Sequence, residues 1–138
     1  MGRWDFLYDL SPRPAVEVLL DEAAKVIASD LACWPPPLES AEPELVPVLR
    51  GDRPHRDVYR EAFACARLDL RHEYEELERQ EAASSLPREE RQAARFLWHY
   101  LAERAFELND AVESRLSRRD LVALLDRVEK RLLAPSLA

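Results

Sequence analysis

Residues 56–84, RDVYREAFACARLDLRHEYEELERQEAAS, and 87–114, PREERQAARFLWHYLAERAFELNDAVES, decide the fold. In the first stretch Tyr59, Phe63, Ala66, Leu70, Tyr74 and Leu77 follow a 4-3-4-4-3 spacing, the seam of a helix packed on other helices. In the second, Ala94, Trp98, Leu101, Ala105, Leu108, Val112 and Leu116 form one stripe, and Ala93, Phe96, Leu97 and Tyr100 widen it. That second helix is expected to be the most buried. Each stretch predicts a helix of roughly 28 residues, about 40 Å long at 1.5 Å per residue. Ser84-Ser85-Leu86-Pro87 separates them, with Pro87 suited to open the later one.

Two shorter helices flank this hairpin. Ser117-Arg118-Arg119-Asp120 reads as a capping box with Asp where Glu is usual, and Leu121, Val122, Leu124, Leu125, Val128, Leu132 and Leu133 supply the stripe behind it. Ser11-Pro12 reads as the start of the first helix, whose apolar positions are Val16, Leu19, Leu20, Ala23, Ile27 and Leu31. Pro35-Pro36-Pro37 ends it, because proline has no backbone donor and restricts the residue before it. Residues 34–54 hold six of the ten prolines and form a linker of polyproline-like character. Its Leu38, Leu45, Val46, Val48 and Leu49 argue for packing on something.

No segment alternates as a strand does, and two glycines in 138 residues exclude a Gly-rich phosphate loop or a many-hairpin β fold. The expected fold is all-α: a single domain over 1–138, a four-helix bundle built on a long central hairpin, with an aromatic arm at 1–10 and a proline-rich loop at 34–54. Two short helices leave part of a long hairpin uncovered, so the loop or a second copy (a homodimer) is expected to cover it.

The net charge is −7, and the basic residues are eighteen Arg with only Lys25 and Lys130, a usage that fits GC-rich coding. Residues 1–53 and 69–90 each carry −5, whereas 111–138 carry +2. Acidic faces repel phosphate backbones, so nucleic acid is a disfavoured partner and a protein with a basic surface a better one. Arg115, Arg118, Arg119, Arg127, Lys130 and Arg131 form the one basic stretch, interrupted by Asp120, Asp126 and Glu129. Cys33 and Cys65, 32 residues apart among apolar neighbours, read as buried free thiols. Neither a signal peptide nor a membrane span is evident, and a reduced, cytoplasmic setting is expected.

Catalysis is not indicated. Ser84, Ser85 and Ser117 are explained by turns and caps, no Gly-x-Ser-x-Gly occurs, and His55 reads as a turn histidine. The strongest chemical constellation is Asp69, His72, Glu73 and Glu76, placed by i, i+3 and i, i+4 spacing on one helical face, with His99 and Glu103 on the next helix. Those are ligand types for a transition-metal ion. Di-iron bundles, however, repeat Glu-x-x-His on two helices, and here only Asp-Leu-Arg-His occurs, once. The competing reading is a salt-bridged, solvated face.

Trp4, Phe6 and Tyr8, interleaved with Asp5 and Asp9, resemble the anchors of a docking peptide; the competing reading is that they cover the chain's own bundle. The leading expectation is therefore a non-enzymatic, acidic helical interaction protein: an adaptor, a regulator or an assembly subunit of a larger complex. Trp4, Phe6 and Tyr8 would anchor its partner, and Glu73, Glu75, Glu76 and Glu78 would steer it. The alternative is a metal-binding bundle using the carboxylate and histidine residues of helices two and three.

Overall fold

The apolar stripes form helices and bury them. The computed structural model describes residues 3–9, 15–32 and 56–133. The Ser11-Pro12 helix start, Cys33, Trp34, His55 and the proline-rich loop at 34–54 lie outside the described residues, as do the side chains of Tyr8 and Asp9. Within the described residues the chain is all-helical. A 3₁₀ turn at Asp5–Asp9 precedes α1 (Val16–Ala32), α2 (Arg56–Leu70), α3 (Tyr74–Ala82), α4 (Arg88–Ala111) and α5 (Arg118–Leu133).

The helices pack in pairs, α2 along α4 and α1 along α5, while α2 and α4 both touch α5. Leu19, Leu20, Ile27, Phe63, Leu70, Leu97, Leu101, Leu108, Leu124 and Leu125 are the large side chains at its fully enclosed centre. One continuous apolar cluster joins α1 to α5. Each such side chain contributes roughly 1.5–3 kcal/mol by leaving water. α4 has the most buried residues by number, nine of its 24, but it is not the most enclosed helix: α1 buries seven of 17 and α2 six of 15, a larger share of each. No polar or charged residue among those described is buried.

Charged side chains tie the outer edges. Arg67 of α2 reaches Asp126 of α5 at 2.7 Å and also pairs with Glu129. Arg127 of α5 reaches Asp21 of α1 at 2.7 Å. Trp98 of α4 donates its indole N–H to Asp69 of α2 at 2.9 Å.

The expected single helix over 56–84 is broken, and the break turns Tyr74 out of the seam that the spacing assigned it. α2 ends at Leu70 in a Schellman motif: the Glu73 N–H donates to Leu68 C=O at 2.9 Å and the His72 N–H to Asp69 C=O at 3.0 Å. His72 takes the left-handed conformation the motif demands, with φ 59°. α4 ends the same way, at Ala111 rather than Ser114. Ser114 N–H bonds Asn109 C=O at 2.8 Å, Glu113 N–H bonds Asp110 C=O at 3.1 Å, and Glu113 sits at φ 57°. Glycine is the usual residue at such a position, and this chain fills it with His and Glu.

The other boundaries follow local chemistry. Pro87 caps α4 from outside, its carbonyl accepting the Arg91 N–H at 2.9 Å. The capping box at α5 forms in both directions: Ser117 Oγ accepts from Asp120 N–H at 3.1 Å, and Asp120 Oδ2 accepts from Ser117 N–H at 2.9 Å.

A left-handed residue with a Cβ is strained by roughly 1–2 kcal/mol, part of which glycine's larger unfolded-state entropy offsets. His72→Gly and Glu113→Gly are therefore each expected to stabilise the protein, by about 0.5–1 kcal/mol, with His72→Val destabilising. Urea unfolding midpoints check this.

Candidate functional site

The helix break decides which acidic residues face outward. α3 begins right after the left-handed turn, and its only buried side chain is Leu77. Glu73, Glu75, Glu76 and Glu78 are exposed. Tyr74, which the sequence spacing placed on the seam, is 53% exposed instead. The break rotates it out, and its ring stacks on His72 with centroids 5.6 Å apart and planes 16° from parallel. Arg79, the one cation of α3, sits 2.6 Å from Glu76 and 3.8 Å from Glu75. Exposed pairs of this kind contribute little, and the carboxylates remain open to solvent. Glu73 and Glu78 make no ion pair among the described residues.

The same break parts Asp69 from the rest of the expected metal constellation, while His72, Glu73 and Glu76 still line one open surface pocket. His72 leaves the helix that was to align it with Asp69 and Glu76. Asp69 turns to the Trp98 indole instead. His99 stacks on Trp98 with ring centroids 4.6 Å apart, and Glu103 lies 3.5 Å from Arg104. Among the described residues, no group of three or more His, Cys, Asp or Glu side chains is placed to hold a metal ion.

At the N-terminus the structure places Trp4 and Phe6 on the chain's own core. Trp4, Phe6 and Leu7 pack against it partly buried, Trp4 and Phe6 meeting edge to face with centroids 6.0 Å apart. Glu107 of α4 holds the segment, accepting from the Trp4 indole N–H at 2.7 Å and from Arg3 at 2.9 Å. Arg3 also reaches Asp30 of α1 at 3.0 Å, so one guanidinium joins the N-terminal turn, α1 and α4. A small helical protein gains more from covering its core with these rings than from leaving them in water.

One feature escapes the sequence altogether. A cleft of about 250 Å³ opens between α2, α3 and α4, lined by Glu61, Cys65, Glu81, Arg88, Arg91, Gln92, Ala94, Arg95 and Trp98. Its walls come from three helices, so no local spacing announces it. Arg95 of α4 crosses to Glu81 of α3 at 3.0 Å. Cys65 is a buried free thiol, pushed up to about 12 by burial first and then by the nearby Glu61 and Glu81 carboxylates. A thiol held neutral so far above neutral pH is a poor nucleophile.

No protein-family model matches the chain, and neither curated proteins nor solved structures give a significant match.

Two measurements follow from this geometry. Glu107→Ala is expected to cost about 1 kcal/mol, the value of one indole hydrogen bond plus a half-exposed pair, and to speed proteolysis at the N-terminal turn. The thiol gives an alkaline signature. Its folded pKa lies above its unfolded value, so the unfolded state loses its proton first and stability falls as pH rises from about 9 towards about 12. Cys65→Val is expected to flatten that part of the stability–pH curve relative to the wild type.

Proposed function

We propose that this chain is a non-enzymatic helical interaction protein, an adaptor, regulator or assembly subunit, and that α3 is its docking face for a protein with a basic surface. The observation that carries the reading is the exposure of Tyr74 amid four exposed carboxylates on a helix that rests on a single buried leucine. An aromatic ring ringed by charge is the composition of an interface anchor with a steering rim. On this reading, Glu73, Glu75, Glu76 and Glu78 keep their steering role. Anchoring falls to Tyr74, because Trp4 and Phe6 are engaged by the core.

The reading takes α1, α2, α4 and α5 as the four helices of a bundle, and α3 as an outgrowth of it. The pairing of α2 with α4 and of α1 with α5 supports this. No helix among the described residues is long and apolar enough to cross a membrane. A cytoplasmic setting fits the free Cys65 thiol.

The test is capture of the tagged full chain from its native lysate, beside a Tyr74→Ala/Glu75→Gln/Glu76→Gln/Glu78→Gln variant and a Trp4→Ala control. These α3 positions are exposed, so the quadruple variant is expected to stay folded. The reading expects one stoichiometric, basic protein that the α3 variant loses and raised salt releases. Retention of that protein by the α3 variant would overturn it.

A further inference from the structure

The cleft between α2, α3 and α4 carries charges that the fold itself leaves unanswered. Arg88, Arg91 and Arg95 stand at i, i+3 and i+7 on one face of α4. Arg95 is engaged by Glu81. Arg88 and Arg91 make no ion pair and no side-chain hydrogen bond among the described residues.

Their position is electrostatically unfavourable. They occupy the first turn of a 24-residue helix, whose positive dipole end disfavours cations. Arg88 and Arg91 are also like-charged neighbours at i, i+3, as Arg91 and Arg95 are at i, i+4. Pro87 brings no side-chain acceptor to the first free N–H groups. Glu89 and Glu90 share that turn, but neither lines the cleft. An anion seated between Arg88 and Arg91 would answer all of these at once.

From this we infer that the cleft binds a small apolar carboxylate, its oxygens on Arg88 and Arg91 and its hydrocarbon body against Trp98, Cys65 and Ala94. Charge selects the monoanion. Three arginines and the carboxylates of Glu61 and Glu81 line the cleft, a sum of one positive charge that a monoanion neutralises and a dianion overshoots. Arginine suits carboxylate because its planar fork makes paired, charge-assisted hydrogen bonds. Burial of Trp98 and Cys65 keeps the inner wall apolar, and the neutral thiol belongs to that wall. The cleft is open to solvent on one side, and its volume of about 250 Å³ leaves room for a small ring or a short chain beside the arginines.

The test is a nitrogen–proton NMR titration of the full chain with benzoate and with hexanoate to about 10 mM, a range that reveals any site with a Kd near 1 mM. Benzamide, which keeps the ring and lacks the charge, serves as control. Saturable shifts of the Trp98 indole and of the first turn of α4 are expected with a carboxylate and not with benzamide. Arg88→Gln/Arg91→Gln is expected to weaken binding about tenfold or more, with the remaining spectrum unchanged because both residues are exposed. Three results would each overturn the assignment: no saturable shift with either carboxylate, equal binding of benzamide, or undiminished affinity in the double variant.

Discussion

The contact between α2 and α4 is the constraint on which the rest of the structure depends. Phe63 and Leu70 of α2 and Leu97, Leu101 and Leu108 of α4 are among the most deeply enclosed side chains. Enclosed interiors tolerate little displacement, so this contact sets where the other helices can pack. α5 docks on that pair and carries α1 with it. Arg67, Arg127 and Arg3 fasten the edges but contribute little energy, being partly open to water. They fix which neighbour each helix faces more than they hold the core together.

What stands out against this packing is where α2 stops. A continuous helix to residue 84 would carry Tyr74 along the seam and point its acidic half in a direction set by the core. The Schellman turn at His72 ends that obligation. α3 then keeps only Leu77 inside, and its carboxylates and Tyr74 belong to the surface. A local backbone choice thus converts a segment with core-like spacing into a displayed face.

The helices, the stripe of α4 and the capping box at Ser117 and Asp120 were legible because each depends on residues within a turn or two of one another. The break at 71–73 was not. Helix stops are read from glycine or proline, and here the left-handed positions among the described residues are filled by His72, Glu113 and Ser114 in a chain that has two glycines in all. Tyr74 was misplaced for the same reason, since a periodic stripe cannot show a change of register at a residue with ordinary helix propensity. The metal constellation depended on Asp69 and Glu76 sharing one helical face with His72, and the left-handed turn at His72 takes Asp69 out of that arrangement. For Trp4 and Phe6, composition left self-packing and docking open; their packing on the core, and the bond that Glu107 accepts from the Trp4 indole, depend on long-range contacts that no local spacing shows. The arginine-lined cleft was out of reach because Glu61, Glu81 and Arg91 meet only through tertiary packing.

The account stands on α3 being a separate helix with its acidic face outward, and backbone carbon chemical shifts across residues 66–80 test that most directly. The prediction is two helical runs interrupted at 71–73, with the left-handed signature at His72 and a solvent-accessible Tyr74 ring. An unbroken helical run through those residues, with Tyr74 shielded from solvent, would contradict it.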